Sequence, residues 1–246
     1  MAETPQSIPL VEAGTLATAT LRLTMGDLRI VHDVAVPQAR VAASEAVPVL
    51  QGLVNAVVDA AERRSIAAGL AISCRKGCGA CCRQLVPISR SEGERLLGVI
   101  EAMPAERRAG VGQRFAEAAA ALDRAGLRET AGRSDREISA AYFTQRIPCP
   151  FLEDESCSIH AERPLVCREY LVTSPAALCA GERQEGVTLV AVPKFSAAAR
   201  GLEEDGGAWF PLALLGEWAK TRPRGGAKRS GMGWLQRFLG GLSKPR

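Results

Sequence analysis

Cys74-Arg75-Lys76-Gly77-Cys78-Gly79-Ala80-Cys81-Cys82 puts four thiols into nine residues. The other four cysteines of the chain, Cys149, Cys157, Cys167 and Cys179, follow as a second, looser group. A disulfide framework does not need such crowding, and a bridge between adjacent Cys81 and Cys82 would be strained. Thiolate–metal chemistry uses it readily. Cys78-x-x-Cys81 is the gap by which a knuckle turns two sulfurs toward one tetrahedral ion. Gly77 and Gly79 allow a tight turn that points backbone N–H groups at sulfur, and a loop leading into a helix is expected. Were the segment helical throughout, its four thiols would still fall within an arc of about 100°.

Working outward, the flanks of the second group add further cues. Pro148 and Pro150 stiffen the chain around Cys149. Arg75, Lys76, Arg83, Arg163 and Arg168 lie close to cysteines in sequence. Four thiolates on Zn²⁺ leave a charge of about −2, which these cations can offset, unless they only solvate a surface. Glu153, Asp154 and Glu155 read as a solvated acidic loop rather than hard ligands. Tyr170 reads as packing against the site.

The segments Cys74-Arg-Lys-Gly-Cys78-Gly-Ala-Cys81-Cys82 and Pro148-Cys149-Pro-Phe-Leu-x4-Cys157-Ser-Ile-His-Ala-Glu-Arg163-Pro164-Leu-Val-Cys167-Arg168 resemble the YkgJ-type CxxCxxCC cysteine-cluster family. That family is described as a zinc- or iron-chelating domain, so the resemblance implies a bound metal and no particular reaction. Where the family pattern has an aromatic residue after Cys-x-Ile, this chain has His160, as a ligand or as a packing substitute. Flagellin lysine-N-methylases carry a similar cluster, which makes a metal-dependent enzyme or redox protein with an iron–sulfur centre the alternative reading. No Gly-rich loop follows a strand to hold a methyl donor.

All eight cysteines are therefore expected metal ligands: Cys74, Cys78, Cys81, Cys82, Cys149, Cys157, Cys167 and Cys179. Two four-cysteine zinc sites and an iron–sulfur cluster with further thiols both satisfy the count. Because Cys81 and Cys82 do not easily share one ion, two separate sites or one free thiol are expected. The segment 149–179 is expected to have few apolar contacts of its own, so that metal binding contributes to its folding.

The chain has 246 residues, 47% hydrophobic and 24% charged, which suits one globular domain with additions. The start at Met1 lacks a basic then apolar leader, and no run of about 18 apolar residues occurs. A cytoplasmic location, where thiols stay reduced, is expected. Only two histidines occur, His32 and His160, so a Ser-His-Asp triad has no support.

The fold class expected is α+β and mainly helical. Thr15–Thr24 and Leu28–Val36 alternate about a Met25-Gly26-Asp27 turn and predict a β-hairpin, with His32 on its apolar face. Leu50, Leu53, Val54, Val57, Val58 and Ala61 predict a helix from about Pro48 to Leu70. Ser91 to Glu94 reads as a capping box before a helix carrying Leu96, Leu97, Ile100 and Met103. A further helix runs from Pro104 to Gly126, and Thr130–Arg136 reads as loop. Val187–Val192 is expected as a strand joining the hairpin, with short helices at Ser196–Leu202 and Pro211–Trp218.

Three parts follow: 1–43 with the hairpin, 44–205 as the cysteine-cluster domain, and 206–246 as a C-terminal helix and basic tail. From Ala219 to Arg246 there are eight basic residues and no acidic one, against 23 basic and 27 acidic elsewhere. Trp234, Leu235, Phe238, Leu239 and Leu242 form a helical stripe there, weakened by glycines. It reads as a segment docking on a protein partner or membrane surface, or as a disordered tail. Nucleic acid is the less favoured partner.

Overall fold

The computed structural model describes residues 16–128, 133–180, 186–203, 208–223 and 225–242. In chain order the elements are β1 (Leu16–Met25), β2 (Leu28–Pro37), β3 (Val41–Ala42), α1 (Ala43–Ala67), β4 (Pro87–Ser89), α2 (Arg90–Glu101), α3 (Ala105–Arg124) and α4 (Asp135–Thr144). There follow β5 (Leu152–Glu153), β6 (Ser156–Cys157), α5 (Leu165–Glu169), α6 (Ala176–Cys179), α7 (Phe195–Arg200), β7 (Trp209–Pro211), α8 (Leu215–Thr221), β8 (Lys228–Arg229) and α9 (Gly231–Leu242). Half the chain is helical and the strands form antiparallel pairs, which makes the fold mainly helical α+β as expected.

The hairpin lies where alternation placed it. Leu16↔Pro37 through Met25↔Leu28 are in register, and Gly26 takes a positive φ of 62° in the connecting turn. Leu28, Ile30, Val34 and Val36 bury one face against α1, and His32 stands half-buried in the same row.

Helix α1 begins earlier than the sequence pattern suggested. Glu45 reaches back to accept the Ala42 N–H at 2.8 Å, so the helix starts at Ala43 and Pro48 falls inside its second turn. There proline forgoes one backbone bond without ending the helix. The six apolar positions read from the sequence are all buried. At the C-terminal end Gly69, at φ 81°, turns the chain while Leu70 N–H closes on Ser65 O at 3.0 Å. That turn delivers the chain to Cys74.

The capping box lies two residues upstream of its expected place. Ser89 and Glu92 exchange backbone–side-chain bonds of 3.0 and 3.3 Å, while Glu94 pairs with Arg90 at 3.1 Å. A second box, Ser134 with Glu137, starts α4 where the sequence read as loop; residues 130–132 of that stretch lie outside the described residues. Val187–Val192 does not join the hairpin. Its backbone bonds go to the segment after α5: Thr173 N–H to Thr188 O at 3.0 Å and Val190 N–H to Leu171 O at 2.8 Å. The Pro211–Trp218 stretch divides into the end of β7, a single 3₁₀ turn at Leu212–Leu214 and the start of α8.

The C-terminal stripe is core. Trp234, Leu235 and Phe238 of α9 are buried against α1 and α7, with the Phe195 and Phe238 rings stacked at 6.3 Å. Trp234 donates its indole N–H to Val41 O at 2.9 Å. The helix turns its apolar side into its own chain, so those three side chains are not an exposed docking stripe. No helix among the described residues is long and apolar enough to cross a membrane.

Candidate metal centre

Cys74–Cys82 folds as successive turns, without the helix expected at its end. Gly77 has φ 90°, a conformation that L side chains avoid. Gly79 is needed for closeness instead. A Cβ there would meet Glu155 O at 2.7 Å and Leu152 Cδ1 at 2.8 Å. The first cysteine loop thus lies directly on the β5–β6 hairpin, whose turn holds Asp154 and Glu155 at positive φ. Cys149 N–H donates to Cys82 O at 2.7 Å and ties the two cysteine groups together by backbone.

Seven thiols line one cavity of about 80 Å³: Cys74, Cys78, Cys81 and Cys82 from the first loop, Cys149 and Cys157 around the β5–β6 hairpin, and Cys167 from α5. Cys179, at the end of α6, is buried but does not line it; it lies close enough to Cys74 to raise that thiol, and its own is raised by burial and by Cys81 and Cys78 nearby. All eight are free thiols. Val86, Phe151, Ile159 and Leu212 supply apolar wall between them, and His160, Arg163 and Tyr170 supply polar groups. Cys149 and Cys157 pack against the α2–α3 side of the core, whereas Cys74 packs against the α1 side.

Among the described residues no three His, Cys, Asp or Glu side chains converge tightly enough to hold an ion as they stand. The donor chemistry nevertheless suits one. Burial pushes the Cys149 thiol up to about 12. Cys167 is raised by burial and by its neighbours Cys149, Cys81 and Cys157. Cys81 is raised by its hydrogen bond with Cys82 and then by burial. Burial also raises Cys74 and Cys157. Crowded thiols of this kind stay protonated alone, and a shared cation reverses that preference by deprotonating its ligands outright.

The supporting frame is polar and interlocked. Arg168 is buried, which lowers its guanidinium to about 10. It donates to Arg163 O at 2.9 Å, to Asn55 Oδ1 at 2.7 Å and to Ala161 O. Glu92 is buried and accepts the Leu165 N–H at 2.8 Å, fixing the start of α5. Glu169, also buried, accepts from the N–H and hydroxyl of Ser196 at 3.0 and 2.8 Å. Gln51 of α1 donates to Glu162 O and Arg163 O, both at 3.3 Å. Sequence reading missed Glu92, Gln51 and Asn55 altogether; only a displaced Ser-x-x-Glu pattern hinted at Glu92.

The acidic loop is not a ligand set. Glu153 pairs with Arg114 at 2.5 Å and Glu155 with Arg83 at 2.5 Å, both away from the cavity. The Arg83 partner holds the Glu155 carboxyl below its usual range. Tyr170 lines the cavity, as the packing reading held. His160 lies at the cavity with Nε2 2.7 Å from an Arg163 nitrogen, and burial followed by nearby arginines lowers its pKa. His32, on the distant hairpin, does not line the cavity.

One expectation is corrected. The segment 149–179 does have apolar anchors: Phe151, Ile159, Leu165, Leu171 and Val172 are all buried, and Phe151 meets Phe115 edge-on at 5.4 Å. Alternating pattern does not announce them, because each lies in a turn or a short element.

Residues 73–188 match the family model CxxCxxCC, described as "Putative zinc- or iron-chelating domain". The match covers slightly less than half of the chain and includes all eight cysteines. The resemblance carried by the cysteine spacing holds over that stretch. No curated protein and no solved structure matches the chain.

Proposed function

We propose that the CxxCxxCC region, residues 73–188, binds zinc or iron through its cysteines, and that the bound metal joins the 74–82 loop to the 149–179 segment. The observation that carries this reading is the cavity itself. Seven cysteines from separate parts of the chain line it, with partly apolar walls and no carboxylate in the lining. Cys179, close behind, is the eighth candidate ligand. Cys81 and Cys82 are adjacent in the chain, which supports their serving different ions or leaving one thiol free. A reducing compartment such as the cytoplasm keeps eight thiols available for this role.

Size weighs on the kind of function. Small-molecule sites commonly occupy roughly 300–1,000 Å³. At about 80 Å³ this cavity suits an ion or a compact cluster rather than an organic substrate beside it. That supports a chelating or structural role over catalysis inside the cavity. Zinc would cross-link the loops without redox chemistry, and iron would add electron transfer.

Elemental analysis with a visible spectrum, on protein purified without oxygen, tests the reading. One or two equivalents of zinc without colour would identify a structural or chelating site. Several irons with sulfide and a broad visible band would identify an iron–sulfur centre. Cys78→Ser and Cys167→Ser should each lower metal content and protease resistance. Wild-type protein that retains neither metal after reconstitution would sink the proposal.

A further inference from the structure

The cations around the thiols divide sharply once their partners are known. Arg83 is committed to Glu155, and Arg114 to Glu153 and Pro150 O. Arg168 has three donors bound to Arg163 O, Asn55 and Ala161 O, and does not line the cavity. Arg75 reaches the rim but stands in solvent.

Arg163 is different. It lines the thiol cavity, and its Nε is buried with no hydrogen-bond partner. A buried donor left unsatisfied is costly, more so when it is charged. Nor is the residue there by looseness. Its carbonyl is held by Gln51 and by Arg168, its guanidinium by His160, and the preceding Glu162 by Arg95 at 3.0 Å. Pro164 follows and restricts its backbone further. This clamp holds Arg163 at the cavity that the cysteines line, with Cys81, Cys157 and Cys167 all within electrostatic reach of the guanidinium.

We propose that Arg163 is the positioning residue of the metal centre, donating its Nε–H to a metal-bound thiolate among Cys81, Cys157 and Cys167. This rests on the metal-binding reading above. A neutral thiol is a weak acceptor, so the donor gains a strong partner only when the sulfur is ionised. Guanidinium stays charged at all ordinary pH and fixes its donors in a rigid fork. It therefore offsets the negative charge that several thiolates on one divalent ion create. His160 acts through Arg163, as the group that aims it.

The test is zinc affinity, by competition with a chromophoric chelator, together with zinc stoichiometry and the melting temperature of the metal-free protein. Arg163→Gln should keep the stoichiometry and lose about 10- to 100-fold in affinity, as removal of a group behind the ligands typically does. Arg163→Lys should recover part of that loss, since it retains charge without the fork. His160→Ala should lose less than Arg163→Gln and also keep the stoichiometry. Equal affinity in wild type and Arg163→Gln, with only the metal-free melting temperature lowered, would make Arg163 a structural residue and overturn the inference. Reduced stoichiometry in His160→Ala would overturn it too, by making His160 a ligand. Wild type that binds no zinc or iron removes the metal reading itself, an outcome distinct from both.

Discussion

Around α1 the chain is held by continuous apolar faces; around the thiol cavity a few isolated apolar anchors, such as Phe151 and Ile159, are joined by individual polar bonds. In the first region, Leu, Val and Ala side chains from β2, α1, α7 and α9 bury against one another. Their backbone groups are satisfied inside a hairpin and long helices. In the second, the chain runs through turns, two-residue strands and helices of four or five residues. Such segments leave backbone groups open. Gln51, Glu92, Arg114 and Arg168 reach in to bond them. The first region tolerates errors of detail because burial scales with area. The second depends on single residues with single partners. That contrast explains why one part of a chain can fold from pattern alone while its neighbour depends on specific side-chain partners.

The largest effect should come from cutting into the first region. Trp234→Ala removes a nearly fully buried ring and its bond to Val41 O. A loss of about 3–5 kcal/mol is expected in urea unfolding. Metal stoichiometry of the folded fraction should not change, since α9 supplies no cysteine. A loss below about 1 kcal/mol would contradict the packing of α9 on α1 and return the tail to an independent segment.

The same contrast governs what could be read in advance. Hairpin and α1 were legible because their apolar residues recur at periods of two and 3.6, and burial enforces those periods. The α1 start escaped because Glu45, not Pro48, sets it. Helix α4 escaped because its cap lies in a polar stretch with a weak apolar face. The C-terminal stripe was visible as a stripe, but no periodicity says whether a helix packs on its own chain or on another molecule. For the candidate centre, spacing singled out the cysteines as candidates and could not rank the arginines beside them. Which arginine lines the cavity depends on partners such as Asn55 and Gln51, more than a hundred residues away in sequence from the groups they hold.

Gly79→Ala sharpens the comparison from the other side. The added methyl would press on Glu155 O and Leu152 Cδ1, two contacts shorter than real Cβ atoms make. Overpacking of this kind costs about 1–3 kcal/mol. The expected signature is local. Hydrogen exchange should quicken in 74–82 and 152–157 and stay unchanged across α1, while zinc affinity drops. Uniform quickening in both regions would show that they unfold as one unit and erase the distinction.

The smallest effect is expected at the joint, where Glu92 of α2 holds the first N–H of α5. Burial raises its folded-state carboxyl above the ordinary 4.5, against the lowering pull of its bonds from Ser89 and Leu165. The protonated form therefore favours folding. Its contribution is full below the unfolded value and is lost as pH rises through the raised folded value. Glu92→Gln is neutral at every pH, and its amide nitrogen only donates, so one oxygen is left where two accept from Ser89 and Leu165. The substitution should cost about 1 kcal/mol at the acid end of the range and less as pH rises. Unfolding free energies of both proteins between about pH 4 and 8, after chelator treatment, would measure this. Chelation matters because metal release carries its own pH dependence. A cost that grows with pH would mean that the ionised carboxylate is the form the joint prefers, and that the two regions meet through a charge rather than a buried neutral bond.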